Sequence, residues 1–446
     1  TELDRAQLTA GFTYIKGNGE FTGDATNAAG EKITGADDAD PYSDGGNYLG
    51  EAFIPFVYYV QPINDKFSVG LGIFSPFGTS TNYEDDFVGG GFADETSLKS
   101  IEIAPTFAYK INDQLSIGGG IDIVYMDGLL SKFVDSVPYS SAIAAVNAHP
   151  SYDFTLGQSQ YQGYESHYEV SGDDWGYGWN LGLYYKLSEA TTVGFTYRSE
   201  IEITLEGDST FKNNELAVYN DGGTTSADAT SPTDVAWAAD DSVTTMPVAP
   251  QASEVPLTTP ASATIAVTHQ ATDELLLQAG ATWTGWSSFQ NFDVIATERA
   301  TPSLADGLDI SDIAYDSGKG LDAGNIGHID ERWVDVWAVA LGGTYQLNDK
   351  LALRAGYAFD QSPVRDEFRT ARVPSSDRQW VTVGAGYVVN SDLSFDVAAG
   401  YLFMNPMDLE EVNKKNDNTP TDSKASVTGE YEIDVFGLSA QVNYKF

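Results

Sequence analysis

The chain has 446 residues, with 23 Lys and Arg against 65 Asp and Glu, a formal charge of −42, 44 glycines and no cysteine. That charge excludes nucleic acid as a partner, because phosphate binding needs the opposite sign. No apolar run approaches the ~20 residues a spanning helix requires, the longest lying near Ala52 to Val60, so a membrane-crossing chain of this composition has to be a β-barrel.

Taken from the start, Thr1 opens with neither a charged nor an apolar leader, so any signal peptide is expected to have been removed. The absence of cysteine suits passage through an oxidising compartment without staples. Short polar turns then recur at residues 63–67, 111–115, 187–190, 271–275, 347–351 and 389–393, built around Asn64, Asn112, Ser188, Thr272, Asn348 and Asn390. Side chains of this kind satisfy local backbone groups and close tight hairpins. Between them lie long polar stretches near 17–48, 78–97, 128–174, 207–257, 287–332, 361–377 and 408–428. Six short turns and seven long loops join fourteen strands, an even number with both termini on the short-turn side.

The last stretch carries the strand signal most clearly. Phe436, Leu438, Ala440, Val442, Tyr444 and Phe446 alternate with Gly437, Ser439, Gln441, Asn443 and Lys445. An alternating run that long, ending the chain on an aromatic, fits a barrel strand with one face on lipid and one on a wet lumen. It is expected to pair with residues 8–15, since no open sheet edge survives in hydrocarbon. Tyr109, Tyr185, Tyr345, Tyr387 and Tyr444, next to the short turns, are expected in an interfacial girdle. The fold class is therefore all-β, a fourteen-stranded antiparallel transmembrane barrel occupying residues 1–446 as one domain.

Three prolines fall in neighbouring strands, Pro55 in the second, Pro76 in the third and Pro105 in the fourth. Proline lacks the N–H that a ladder needs and marks broken or bulged pairing. Around Ser75, Pro76, Phe77 and Gly78 the alternation also ends, which predicts a kink in the third strand and a gap through which an apolar molecule passes sideways into lipid. Farther on, Ala142, Ile143, Ala145 and Val146 recur at helical spacing. Trp237 and Met246 in the fourth long loop are candidates for the opposite wall of a capture site for apolar ligand.

Enzyme readings are poor. His149, His167, His269 and His328 have no metal-ligand spacing, and no Gly-x-Ser-x-Gly elbow occurs. The acidic runs Asp37, Asp38, Asp40 and Asp44, and Glu84, Asp85 and Asp86, lack the order of a calcium loop and read as solvated. Neither a metal nor a cofactor is expected. The lumen-facing glycines Gly70, Gly72, Gly118, Gly120, Gly342, Gly356, Gly384 and Gly386 weigh against a general porin lined by opposed charged rows. A surface adhesin or phage receptor using the long acidic loops is the other reading.

The ordered set Trp175-Gly-Tyr-Gly-Trp179-Asn180, Phe195-Thr-Tyr-Arg198-Ser-Glu200, Trp283 to Phe289, Ser362-Pro363-Val364 and Val373 to Trp380 resembles the long-chain fatty acid transporters of FadL type. The resemblance runs from about Asp4 to Phe446. It implies a fourteen-stranded barrel of the bacterial outer membrane, plugged by an N-terminal hatch, that takes up long-chain fatty acids or other hydrophobic molecules by passive diffusion. Thr1 to Arg5 matches the segment leading from hatch into first strand, so the hatch is expected to be absent from this chain. The resemblance places a carboxylate-binding basic residue at Lys132, with Phe133 and Val134 beside it. The second basic residue of the family falls on Val334, with Arg332 two positions away as the substitute. The expected partners are thus a fatty acid or hydrophobic small molecule and outer-membrane lipid or lipopolysaccharide, with the protein a monomer.

Overall fold

The computed structural model describes residues 3–27, 30, 32–33, 42–135, 165–211, 215–220, 242–247, 250–298, 324–414 and 424–446. Its fourteen antiparallel strands close on themselves. They are β1 (Gln7–Thr26), β2 (Glu51–Pro62), β3 (Phe67–Phe74, resuming at Gly78–Asn82), β4 (Glu95–Lys110), β5 (Leu115–Asp135), β6 (Glu165–Lys186) and β7 (Thr191–Arg198 with Ile201–Phe211). The second half comprises β8 (Gln251–Thr259 with Ser262–Gln270), β9 (Leu275–Thr284 with Asn291–Ala296), β10 (Gly324–Asp330 with Val336–Asn348), β11 (Leu351–Asp360), β12 (Arg378–Val388), β13 (Leu393–Met404 with Met407–Val412) and β14 (Ser426–Lys445). β1 pairs with β2 on one side and β14 on the other, Leu8 opposite Tyr444 and Ile15 opposite Gly437, which is the expected closure.

The short turns close as their sequences require. The Asn64 side-chain oxygen accepts from the backbone of Lys66 and Phe67, and Asn112, Asn348 and Asn390 do the same for the two residues that end their own turns. Thr272 and Ser188 hydroxyls serve the other two. Each such bond satisfies a backbone N–H that a two-strand turn would otherwise leave to water.

Around the barrel runs an outward apolar belt that includes Leu71, Phe107, Ile121, Leu181, Ile265, Leu341, Val383, Val397 and Leu438. Tyr109, Tyr185, Tyr345, Tyr387 and Tyr444 all point outward at its lower rim. Strands continue above the belt into stretches expected to be loops: β1 runs to Thr26, β5 to Asp135, and β6 begins at Glu165. These upper portions are wet on the outside, so their apolar face turns inward. On β14, Val427, Tyr431 and Ile433 are buried inside the barrel while Phe436 and Leu438 face out. Phe21, Tyr48, Tyr83, Phe87 and Tyr431 pack there as an aromatic core, with the Tyr83 hydroxyl 2.8 Å from that of Tyr431 and donating to the Ala371 carbonyl at 2.6 Å.

Candidate functional site

β3 is interrupted where the prolines and glycine predicted it, between Phe74 and Gly78. Phe74 lies opposite Glu102 and Gly78 opposite Lys99, so four steps along β3 face three along β4 and one residue bulges. On the other side, pairing of β3 with β2 ends at Val57 opposite Ile73, although β2 itself continues to Glu51 on β1. The edge of β2 from Glu51 to Phe56 thus has no partner on the β3 side, and Pro55, which needs none on its missing N–H, sits in it. Pro105 lies in β4, and pairing with β5 lapses at Ala104 and Pro105. The bulged Phe77 keeps its backbone satisfied through a side chain: its N–H donates to Ser100 Oγ at 3.0 Å and its carbonyl accepts from the same hydroxyl at 2.5 Å. Replacing Ser100 with Ala orphans the N–H and leaves the carbonyl only the Ser75 hydroxyl, 3.3 Å away, and a loss of about 1–3 kcal/mol in urea unfolding from lipid vesicles is expected.

Behind the interruption the lumen holds an apolar cavity of about 350 Å³, lined by Pro76, Phe77, Met126, Leu205, Trp286 and Phe289 among others. Phe77 meets Trp286 edge to face at 6.0 Å, and Trp286 packs against Trp333 at 4.8 Å. Above it lies a more polar cavity of about 680 Å³, lined by Lys132, His328, Phe368, Arg369 and Glu411. Volumes of this order accept a drug-sized ligand. Leu130, Val170, Ile329 and Arg372 line both, so the two adjoin at a shared wall.

Two cations stand at that junction. Lys132 lies well above Ile121, the last fully exposed large apolar residue of β5, and is half-buried against the polar cavity. Burial, reinforced by the nearby Arg372 guanidinium, pushes its ammonium down to about 8. Arg372 is buried, donates to Thr96 Oγ1 at 3.3 Å, and makes no ion pair with a described residue. Lys132 has none either. Their acidic neighbours are Glu411, Glu331 and, for Arg372, Asp94; Glu331 is pushed up to about 7 chiefly by burial, with the Glu411 charge adding to it. Glu331 accepts from Trp333 Nε1 at 2.7 Å and Thr370 Oγ1 at 3.1 Å. Beside Lys132, Ser131 and His167 both bind Asp94 Oδ2, at 2.6 and 2.8 Å. Two positive groups without a direct ion pair among the described residues thus stand together next to an apolar chamber.

Lys132 lines the polar cavity, and its expected companions divide. Phe133 alternates to the other face, stacks edge-on against His167 and lines neither cavity. Arg332 takes a positive φ of 42°, binds Asp330 at 2.9 Å and lies over the Phe368 ring, two residues of the polar cavity's wall, while the cation next to Lys132 is Arg372. Ile143, Val146 and Trp237 lie outside the described residues, as do the side chains of Val134 and Met246, which are paired in strands. Of the acidic runs, Asp37, Asp38 and Asp40 also lie outside them. Arg372 was legible in principle: Arg365, Arg369 and Arg372 fall within eight positions of a chain poor in cations.

The sequence model of the outer membrane protein transport family (OMPP1/FadL/TodX) matches residues 1–446. The long-chain fatty acid transport protein of Escherichia coli O6:H1 is 27% identical over 411 residues, covering 90% of this chain and 78% of its own. Outer membrane protein P1 of Haemophilus influenzae is 28% identical over 454 residues, covering 99% and 86%. Among solved structures, a Pseudomonas aeruginosa FadL homologue superposes with a TM-score of 0.76 at 25% identity, covering 100% of this chain and 91% of its own. The Pseudomonas putida toluene transporter TodX has the same fold, with a TM-score of 0.61 at 17% identity, covering 100% and 91%. A closed barrel with an apolar belt, a family match over the whole chain and relatives that are transport channels rather than enzymes lead to one assignment: this protein is a member of the FadL/TodX family of outer-membrane transport proteins.

Proposed function

We propose that the protein takes up long-chain fatty acids, or comparable hydrophobic molecules bearing a polar end, and releases them sideways into the outer membrane. The observation that carries this reading is the pair Lys132 and Arg372, two cations without ion partners among the described residues, placed where a polar cavity meets an apolar one. A carboxylate seated between them supplies the missing counter-ion, and the chain below it exchanges water for Met126, Leu205, Trp286 and Phe289 at about 0.8 kcal/mol per buried methylene. Its far end then lies against Phe77, next to the unpaired edge of β2. Ser75, Pro76, Phe77 and Gly78 form the exit on one side and Pro55 on the other, with Pro105 loosening β4 behind them. Broken pairing at this depth is tolerable where it lines a cavity. Names borne by relatives, long-chain fatty acid transport protein and toluene transporter, agree with apolar cargo. The acidic outer loops face lipopolysaccharide, and a single chain that closes its own barrel works as a monomer. Binding of a radiolabelled long-chain fatty acid to the purified protein, in competition with an alkane of equal length, tests the reading; equal competition by the alkane removes the carboxylate seat.

The seat also gives a pH dependence. Glu331 is neutral below about 7 and gains a negative charge above it, while Lys132 is charged below about 8 and loses its charge above it. Both changes oppose a bound anion, so affinity for an ionised fatty acid is expected to be highest below about 7 and to fall as pH rises through 8. A neutral alkane in the same titration is expected to show no such fall.

A further inference from the structure

Another break in the wall lies across the apolar cavity from the one at Ser75 to Gly78. β8 pairs with β9 at Ser253 and Glu254, opposite Ala296 and Ile295, and again from Ser262 opposite Thr284 downward. In between, the edge from Val255 to Ala261 has no ladder partner on β9, while the strand's opposite edge stays paired with β7 as far as Thr259. Pro256 and Pro260 lie in this stretch, as Pro55 lies in the unpaired edge of β2. Eight steps from Glu254 to Ser262 face eleven from Thr284 to Ile295, and the surplus of three is taken up around the helical turn Trp286–Ser288.

Side chains rather than a ladder fill this break. Phe289 and Phe292 pack against the buried cluster that contains Val255 and Leu257, and Trp286 lines the cavity with them. The backbone is bridged at Gly285, whose N–H donates to the Ala261 carbonyl at 2.9 Å, and the Ser288 hydroxyl stands 3.5 Å from the Thr258 carbonyl. Gln290 pins the turn by donating its amide to the Ser287 and Trp333 carbonyls at 2.9 and 3.1 Å, and Asp335 accepts from the Ser287 N–H at 3.0 Å. Side chains change rotamer quickly, so a wall closed in this way opens without parting a ladder. The lapse between β6 and β7, from Asn180 opposite Arg198 to Asp173 opposite Glu206, is shut by contrast. There Ile201 and Ile203 lie over Gly176 and Gly178 and leave no room for a methyl group on either.

The breaks on the two sides of the cavity differ in height. Phe53, on the unpaired edge of β2, is exposed within the apolar belt, so that break opens onto lipid. Trp283 and Trp337 face each other at the upper rim, where tryptophan collects, and the break in β8 starts just above them. Pro256, Ser287 and Gln290 are exposed there, so it opens to the outer surface.

We propose that the break between β8 and β9 is an outer port, through which hydrophobic molecules with no polar end, alkanes or arenes, enter the apolar cavity without passing Lys132 and Arg372. The port rests on the uptake of apolar cargo described above. Between its edges stand Leu257, Pro260 and aromatic rings, and the charge beside the turn is Asp335, an acid. A carboxylate gains no counter-ion on this path and keeps to the polar cavity. Trp286 and Phe77 meet edge to face at 6.0 Å, so port and exit confront one another across a single cavity.

Initial uptake of radiolabelled hexadecane and of radiolabelled palmitate, by cells producing the protein and by cells lacking it, tests the port. Thr258→Cys/Ser288→Cys sets a disulfide across the break, in a chain with no other cysteine. Oxidised, this variant is expected to lose the protein-dependent uptake of hexadecane and to regain it on reduction, while palmitate uptake is the same in both redox states. Gln290→Ala, which needs no bond to form, unpins the turn and is expected to raise hexadecane uptake severalfold with palmitate uptake at the native rate. Hexadecane uptake that ignores a verified disulfide, an equal fall for both cargoes, or an unchanged hexadecane rate in Gln290→Ala overturns the port. So does a native barrel that raises palmitate uptake alone. A native barrel that raises neither overturns instead the uptake reading, and the port with it.

Discussion

Restoring the missing pairing between β2 and β3 is expected to reduce fatty acid uptake to background while leaving the barrel folded and binding at the two cations retained. Two routes follow from register. Deleting Gly78 removes the extra residue that lets four steps on β3 face three on β4. Alternatively, Ile54→Cys/Pro76→Cys places a disulfide where the ladder would continue beyond Val57 opposite Ile73, provided the kink swings back to bring the two Cα atoms within about 7 Å. The second variant carries its own control, since reduction should return uptake to the native rate in the same molecules. The chain has no other cysteine to exchange with it. Closing the wall adds hydrogen bonds and removes none from the seat, so binding of the labelled fatty acid should survive. Uptake measured in cells together with binding to the purified protein separates the two, and undiminished uptake by a folded, cross-linked barrel rules the sideways exit out.

Reversing the charge at Lys132 is the second large effect. Lys132→Glu removes one of two cations at the junction and sets a carboxylate beside Glu411, which already acts on the position electrostatically. A hydrogen bond to a charged group contributes about 1.5–3 kcal/mol, so affinity for an ionised fatty acid is expected to fall by about ten- to a hundredfold. An alkane of the same length, held by the apolar cavity alone, should lose little. The ratio of the two losses, measured by competition, carries the argument better than either alone. Equal losses mean that Lys132 only shapes the cavity.

Much of this architecture was legible because a membrane barrel writes its wall plainly. In β14 the alternation from Phe436 to Phe446 set the strand, its lipid face and its partner, and the Asn and Asp turns set the strand count. What the sequence hid lies above the membrane. There the outer surface is wet, so the apolar face flips from Phe436 and Leu438 on the outside to Tyr431 and Val427 on the inside. A reader following one phase loses the strand and sees a polar loop, which is why β1, β5 and β14 run farther than expected. The kink at Ser75 to Gly78 was visible because proline and glycine act locally, whereas the hydroxyl that stabilises it comes from Ser100 on another strand. Lys132 was singled out through resemblance, and the structure sets Arg372 rather than Arg332 next to it. Arg332 is close in sequence to the family position and is paired with Asp330 and Phe368 in the wall of the polar cavity, while Arg372, the cation next to Lys132, arrives from a loop between β11 and β12.

Anomalous diffraction from crystals holding brominated fatty acids tests the central claim most directly. With bromine next to the carboxylate, the peak is expected beside Lys132 and Arg372; with bromine at the chain end, it is expected against Phe77 and Trp286, at the gap between β2 and β3. A chain-end peak in the lower lumen near Thr382 and Gly356, or a carboxyl-end peak away from both cations, would contradict the account.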